Sequence, residues 1–240
     1  MVYRTDGSSH RNGVANEHAT VDFINRRSVA IRGALVPPGH TLVQVGGTRT
    51  KVDARVIKPD GNCGAEITIS IKNHKGDNGT FDWMNTTGHT EGIKTALLDF
   101  KRAGVPNRQA FNAIFADHLK LVGDPTIRSL LQKCATENPE WLIVNNASAN
   151  KYVLARTPDL TPLADWNYFL KFGRGVTSGQ IWRRRGTEEV NTHMRLRCVS
   201  NNGIGALFGP TGSVPCFKIQ QERVKDFIAQ LPGAVQETWT

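Results

Sequence analysis

The sequence predicts an α/β fold, in which a mixed β-sheet core is flanked by helices and followed by additional C-terminal strands. Short segments that alternate apolar and polar residues, as strands do, recur between about residue 41 and residue 219. Segments with apolar residues three and four positions apart, as in amphipathic helices, occur near the start, in the middle and near the end. This mixture of the two periods is typical of a sheet with helices on its faces.

The N-terminal part is predicted to form a helix over residues 14–27, because its apolar residues fall on one stripe. The residues of that stripe are Val14, Val21 and Ile24. Three strands are predicted after it, at residues 41–45, 51–58 and 66–72. The Pro-Asp-Gly-Asn turn at residues 59–62 separates the last two, which favours an antiparallel hairpin.

The remainder of the chain is predicted to alternate helices and strands. Apolar residues on one face predict helices near residues 93–100, 111–118 and 127–134, and a final helix near 224–231. Strands are predicted at residues 141–145, 151–155, 195–199, 204–208 and 217–219. We interpret the chain as a single domain over residues 1–240, with a core at about 13–160 and a C-terminal elaboration at about 161–240.

The charge of the chain favours a polyanionic partner. Thirty basic and 21 acidic residues give a net charge of +9, and the isoelectric point is near 9.7. Such values favour nucleic acid over other partners. No apolar run approaches the roughly 18 residues of a membrane span, and the N-terminus is polar, so a cytoplasmic protein without membrane contact is expected.

One face of the third predicted strand is polar and is a candidate for a catalytic, metal-binding site. Its isoleucines alternate with polar residues, namely Glu66, Thr68, Ser70 and Lys72. In the preceding strand Lys51 and Asp53 point away from the apolar side. If the two strands pair, an acid, a lysine and several oxygen ligands converge, which suits Mg²⁺. A merely solvated sheet face is the alternative explanation of the same alternation.

Lys51-Val52-Asp53 and Ile69-Ser70-Ile71-Lys72-Asn73 together resemble the core of the restriction-type nucleases called PD-(D/E)XK. The resemblance implies DNA cleavage with Mg²⁺, for which Mn²⁺ can substitute. It also implies that Asp53 binds the metal, that the carbonyl of Ile71 is a second ligand, and that Lys72 is the catalytic lysine. The sequence departs from the family at Ser70, where most members carry Glu or Asp, which leaves the number of metal ions open.

Other parts of the chain resemble the same nucleases. Gly13-Val14-Ala15-Asn16-Glu17 is similar to the opening of many members, whose first-helix glutamate reaches the metal. The resemblance therefore implies that Glu17 is a catalytic and metal-binding residue, compensating for the missing acid at Ser70. Glu66, Asn73 and Asn85 are further candidates for the site.

A run of arginines beside a tryptophan, Trp182 to Arg185, predicts contact with DNA through phosphates and guanine edges. A solvated basic loop is the alternative. Arg195 and Arg197 alternate with Leu196 and extend the predicted surface. The complete set of expected DNA-binding residues is Arg183, Arg184, Arg185, Arg195, Arg197 and Lys75.

The expected function is therefore metal-dependent, sequence-specific cleavage of double-stranded DNA, of the restriction or homing type. A homodimer is expected, because two active sites cut two strands and a two-fold axis matches a palindrome. Two alternatives remain open. One is a non-catalytic nucleic-acid-binding protein, viral or structural, on a degenerate nuclease fold, which Ser70 favours. The other is a structure-selective nuclease for repair or junctions.

Overall fold

The computed structural model describes residues 8–45, 52–61, 67–74, 80–85, 119–120, 122–173, 178–198, 215–220, 230–231 and 233–239. The chain divides into two compact units. The first comprises Met1–Phe81, Lys133–Thr161 and Ile228–Thr240, and the second comprises Asp82–Gln132 and Pro162–Phe227.

The described helices are α1 (Ser8–Arg26), α2 (Ala30–Leu35) and α3 (Asp124–Glu137). The first six described strands are β1 (Thr41–Gln44), β2 (Ala54–Ile57), β3 (Thr68–His74), β4 (Thr80–Asn85), β5 (Trp141–Asn146) and β6 (Lys151–Arg156). The others are β7 (Asn167–Phe172), β8 (Ser178–Arg185), β9 (Glu188–Cys198), β10 (Pro215–Gln220) and β11 (Val235–Thr238). Short 3-10 helices, Ala147–Ala149 and Thr157–Leu160, flank β6.

The first unit contains a six-stranded mixed sheet in the order β1-β2-β3-β5-β6-β11. The strands β1, β2 and β3 form an antiparallel meander, and β3 then pairs with β5 in parallel. The remaining pairs, β5 with β6 and β6 with β11, are antiparallel. A parallel pair needs a long crossover connection, and here the residues between β3 and β5 provide it. The predicted α/β class, a mixed sheet flanked by helices, is thus confirmed.

The helices α1 and α2 pack on one face of this sheet. Ile24 of α1 and Ile31 of α2 are fully buried against Ile69 and Ile143 of the central strands. Burial of an isoleucine side chain stabilises the fold by about 1.5 to 3 kcal/mol. The opposite side is covered as well, because Leu142 and the other residues of β5 that alternate with Ile143 are also buried. This two-sided burial explains why β5 is apolar almost throughout.

A second sheet has five strands in the order β4-β10-β9-β8-β7. Its pairs of β10 with β9, β9 with β8 and β8 with β7 are antiparallel. Gly186, with φ at +58°, lies in the two-residue turn that joins β8 to β9, a conformation that favours glycine. The N-terminal end of α3 contacts β7, because Asp124 Oδ1 accepts a hydrogen bond from the backbone N–H of Tyr168 at 2.6 Å.

Several predicted elements are confirmed, among them α1, β1, β2, β3, α3, β5 and β6. The predicted helices near residues 93–100, 111–118 and 224–231 lie outside or largely outside the described residues, as does the strand at 204–208. The sequence analysis missed α2 and the strands β4, β7, β8 and β11. Within the described part of the chain, no helix is long and apolar enough to cross a membrane.

Candidate active site and basic sheet face

Asp53 stands immediately before β2, where the β2–β3 ladder ends. Its backbone N–H donates to the carbonyl of Ile69 at 2.8 Å. Beyond that point the Asp53 side chain, instead of the backbone, supplies the acceptor for β3. Its Oδ2 accepts hydrogen bonds from the backbone N–H of Ile71 at 2.6 Å and from Ser70 Oγ at 3.1 Å. Charge-assisted bonds of this kind fix a carboxylate strongly. The local fold therefore holds Asp53 in one orientation against β3.

Lys72 lies two residues further along β3, on the same side of the strand as Ser70. Its Nζ is 3.9 Å from Asp53 Oδ2, and its side chain is 29% exposed. At that separation the two groups form an ion pair rather than a close hydrogen bond. The predicted convergence of Asp53, Ser70 and Lys72 is what the structure shows, and the predicted antiparallel hairpin of β2 and β3 produces it.

The oxygen atoms around Asp53 suit a hard cation. Among the described residues, the polar contacts of its carboxylate all use Oδ2, which leaves Oδ1 available. In a strand, the N–H and C=O of one residue point to the same side. Because the N–H of Ile71 points at Asp53, its carbonyl is directed to that side too. One carboxylate and one carbonyl, completed by water, fit Mg²⁺, which commonly uses few protein ligands.

The acidic residues expected to enlarge this ligand set do not cluster in the described part of the chain. There, no three His, Cys, Asp or Glu side chains lie close enough to hold a metal ion together. Glu66 and Lys75 lie outside the described residues, so their predicted roles have no structural counterpart here.

Glu17 is half-buried on α1, and its Oε2 accepts a hydrogen bond from Gln44 Nε2 at 2.8 Å. Gln44 is the registered partner of Ala54, a buried residue of the face on which α1 packs. Ser70 and Lys72 alternate with the core isoleucines of β3 and so belong to the opposite face. The structure therefore does not place Glu17 in contact with Asp53 or Lys72.

A buried pair of asparagines, missed by the sequence analysis, joins α1 to the sheet. Asn145 Nδ2 donates to Asn16 Oδ1 at 2.7 Å, and both residues are 9% exposed. Asn73 is the registered partner of Asn145, and the Oδ1 atoms of Asn73 and Asn145 are buried without a hydrogen-bond partner within the described structure. The only signal in the sequence is that Asn145 lies near the end of the otherwise apolar strand β5. Asn85 ends β4 in the other sheet, and its side chain lies outside the described set.

The three consecutive arginines lie in strand β8, so they point alternately to its two sides. The guanidinium groups of Arg183 and Arg185 both stack on Trp166, 4.8 and 4.7 Å from its ring centroid. Arg184 stacks instead on Phe169 at 4.8 Å. The expected cluster is therefore divided between two faces of the sheet and does not form a single clamp.

On the face of Arg184, Glu189 is shared by two cations. Its carboxylate forms ion pairs with Lys171 and Arg184. Hydrogen bonds from Lys171 and Arg184 hold the pKa of Glu189 below its usual value. Arg195 lies on β9 in register with Gln180, and Arg197 in register with Ser178, although the side chain of Arg197 is not among those described.

The chain matches no protein-family model, and it is similar to no curated protein.

Proposed function

We propose that this chain is a metal-dependent DNA endonuclease whose hydrolytic site is formed by Asp53, Ser70, Ile71 and Lys72. One observation carries the proposal. A carboxylate held by the backbone of β3 lies 3.9 Å from a partly exposed lysine amino group on the same strand. A carboxylate, a carbonyl and a lysine in this order along two paired strands are what the PD-(D/E)XK resemblance implies.

The proposed reaction is hydrolysis of a phosphodiester. A water oxygen forms a bond to phosphorus, and that water gives up one proton to solvent. The bond from phosphorus to the leaving sugar oxygen breaks, and the leaving oxygen gains a proton from solvent. Asp53 and the carbonyl of Ile71 would hold Mg²⁺, or Mn²⁺ in its place, which when bound stabilises charge on the phosphate and acidifies water. Lys72 would hold and orient the attacking water and offset the negative charge that builds up beside the phosphate. Ser70 Oγ keeps the Asp53 carboxylate in place.

The substitution of Ser70 for the usual acid shapes the proposed ligand set. Ser70 is 8% exposed and donates to Asp53 instead of adding a second negative charge. Water would therefore complete most of the coordination of the cation. Glu17, on the helix that covers the other face, does not contact Asp53 or Lys72 and would contribute only through its charge.

Double-stranded DNA cut at specific sequences is the proposed substrate, and the net charge of +9 is consistent with it. A homodimer is the proposed active form, because two-fold symmetry presents one site to each strand. Sedimentation of the complex should then give about twice the 26.4 kDa mass of the chain plus the mass of the bound DNA.

A second candidate is a nucleic-acid-binding protein without catalysis. It is favoured by the small number of acidic ligands, since Asp53 is the one carboxylate seen at the described site. A structure-selective nuclease for junctions shares the chemistry of the first proposal but not its sequence specificity.

Incubation of the purified chain with a long, defined linear DNA and Mg²⁺ distinguishes these functions. Sequence-specific cleavage gives discrete fragments with common ends, and a structure-selective enzyme cuts only substrates with branches or flaps. A shifted but intact DNA, in Mg²⁺ as well as in Mn²⁺, would contradict the endonuclease proposal and support the binding protein. An Asp53→Asn variant in parallel identifies cleavage by a contaminating nuclease.

A further inference from the structure

We infer that the partly exposed face of strands β7, β8 and β9 binds an unpaired nucleic-acid strand, with Trp182 and Phe169 stacking on bases. This stacking face, as we call it, comprises Phe169, Lys171, Gln180, Trp182, Arg184 and Arg195. It is separate from the proposed hydrolytic site, and the inference does not depend on cleavage.

The two faces of this sheet differ sharply in burial. On one face Ile181 and Leu196 are fully buried, and Tyr168 is 4% exposed. Phe169 and Trp182 alternate with these residues and are only half-buried on the other face. They are registered partners on β7 and β8, so their side chains are neighbours. Two adjacent large aromatic rings on an open sheet face are not explained by packing of the core.

Cations accompany both rings. Lys171 Nζ lies 3.7 Å from the ring centroid of Trp182 and 5.6 Å from that of Phe169. The Arg184 guanidinium lies 4.8 Å from the Phe169 centroid. The side chains of Lys171 and Arg184 are 40% and 52% exposed, so both charges can reach a phosphate. The carboxylate of Glu189 is shared by the two cations and offsets only one of their charges.

The strand register extends this face across the sheet. Lys171 of β7 pairs with Gln180 of β8, which pairs with Arg195 of β9. With strands about 4.8 Å apart, the row is about 10 Å long. A strip of positive charge beside aromatic rings is the arrangement that proteins use to follow a nucleic-acid backbone while bases stack.

The aromatic rings favour an unpaired strand over a duplex. In a duplex the flat faces of the bases are covered by their neighbours, and only base edges are accessible in the grooves. Unpaired bases can leave the stack and rest on aromatic side chains. Lys171 and Arg184 lie over the Trp182 and Phe169 rings, so bases would stack there by displacing these partly exposed side chains. A face with two such rings, rather than a projecting helix or ribbon, fits a single strand.

The inference is tested by fluorescence anisotropy with the full-length chain and a labelled oligothymidylate of about 20 nucleotides, longer than the roughly 4 to 16 that one nucleic-acid-binding β-domain covers. EDTA is included so that no cleavage occurs, and an Asp53→Asn chain is measured alongside. Trp182→Leu keeps an apolar side chain but removes the stacking surface. We expect its Kd to rise about 5- to 100-fold, the range for loss of one stacked base.

A matched pair of arginine variants distinguishes binding by the stacking face from a general effect of positive charge on affinity. Arg184→Gln and Arg185→Gln remove the same charge from adjacent residues of β8, and each breaks one ion pair, with Glu189 and Glu188 respectively. We expect Arg184→Gln to weaken binding of the oligothymidylate and Arg185→Gln to leave it within about twofold, because only Arg184 lies beside Phe169 on the stacking face. If net charge alone governed binding, the two variants would lose affinity equally.

Three results would overturn the inference. They are an unchanged Kd for Trp182→Leu with unchanged circular dichroism, equal losses for the two arginine variants, and binding of a matched duplex that is as tight as that of the single strand. These results differ from those that would contradict the endonuclease proposal. If the chain does not cleave DNA but binds the oligothymidylate through Trp182, the endonuclease proposal fails and this inference stands.

Discussion

The carboxylate of Asp53 accepts the backbone N–H of Ile71 at 2.6 Å, in the place where a neighbouring strand would supply a carbonyl. The same residue thus ends the β2–β3 ladder and presents its second oxygen to the proposed cation. The Asp53 side chain therefore has a structural role, as the acceptor for Ile71, and a proposed chemical role, as the metal ligand. Substitutions at this position can separate the two roles.

Asp53→Asn should leave the fold nearly unchanged and abolish cleavage. The amide oxygen can still accept the N–H of Ile71, but a neutral amide is a poorer ligand for Mg²⁺. Asp53→Ala removes the acceptor altogether and should lower the free energy of unfolding by about 1 to 3 kcal/mol. Urea unfolding and titration calorimetry with Mg²⁺ measure the two effects. Equal metal affinity for wild type and Asp53→Asn would refute the ligand assignment.

Ser70→Asp should make stability depend on the metal. Ser70 is buried and its hydroxyl donates to Asp53, so a second carboxylate there repels the first. In EDTA we expect a loss of about 1 to 3 kcal/mol in the free energy of unfolding. Millimolar Mg²⁺ should restore part of it, because a ligand of the folded state stabilises that state. Ser70→Ala is the control, and it should show no dependence on Mg²⁺ beyond that of wild type.

Glu17→Gln should reduce cleavage at least tenfold, about 1.4 kcal/mol of transition-state stabilisation, if the charge of Glu17 serves the proposed site. Gln44→Ala is the matched control, because it removes the hydrogen bond to Glu17 and keeps the carboxylate. Equal rates for wild type and Glu17→Gln, or equal losses in both variants, would assign Glu17 a structural role alone.

Glu237 should stabilise the fold at neutral pH and lose that effect in acid. Its carboxylate accepts hydrogen bonds from Ser28 Oγ and from the N–H groups of Val29 and Ile31 at the start of α2. Burial raises the pKa of Glu237, but these hydrogen bonds together outweigh it and leave the pKa below its ordinary value of 4.5. A lowered pKa means that the contribution is present above that value and is lost as the pH falls through the folded-state pKa.

Glu237→Gln should therefore cost about 1 kcal/mol of unfolding free energy at pH 7, the usual contribution of a helix cap. At acid pH, below the lowered pKa of Glu237, the difference from wild type should shrink, because the wild-type carboxyl is then protonated. Urea titrations at the two pH values check this, and a difference that grows in acid would contradict it.

The local pattern of the sequence predicts the candidate site well, whereas it predicts the second sheet poorly. Alternation along β3 places Ser70 and Lys72 opposite the core isoleucines, and the Pro-Asp-Gly turn predicts the hairpin that brings Asp53 to them. The strand β8 was missed because its arginines look like a solvated loop. They are compatible with a strand because Trp166 and Phe169 stack against them on its two sides.

Contacts between distant parts of the chain leave little trace in periodicity. Asn16 and Asn145 are 129 residues apart, and Ser28 and Glu237 are 209 apart. In the sequence, each of these residues looks like an ordinary polar side chain. The periodicity of apolar residues shows which face of an element is buried, but it does not show which residue lies against that face. For the same reason the pattern on α1 could not reveal that Glu17 contacts Gln44 on the face opposite Lys72.

The cleavage rate of Lys72→Ala, compared with that of Lys58→Ala, tests the central claim most directly. Both variants remove one positive charge, but Lys72 lies 3.9 Å from Asp53 whereas Lys58 is exposed directly after β2. On a linear DNA with Mg²⁺, we predict that Lys72→Ala cuts at least about 100-fold more slowly than wild type, the usual cost of removing one group that stabilises charge in the transition state. Lys58→Ala should cut at the wild-type rate, with DNA affinity similar for both. Wild-type cleavage by Lys72→Ala would contradict the assignment of the active site to β2 and β3.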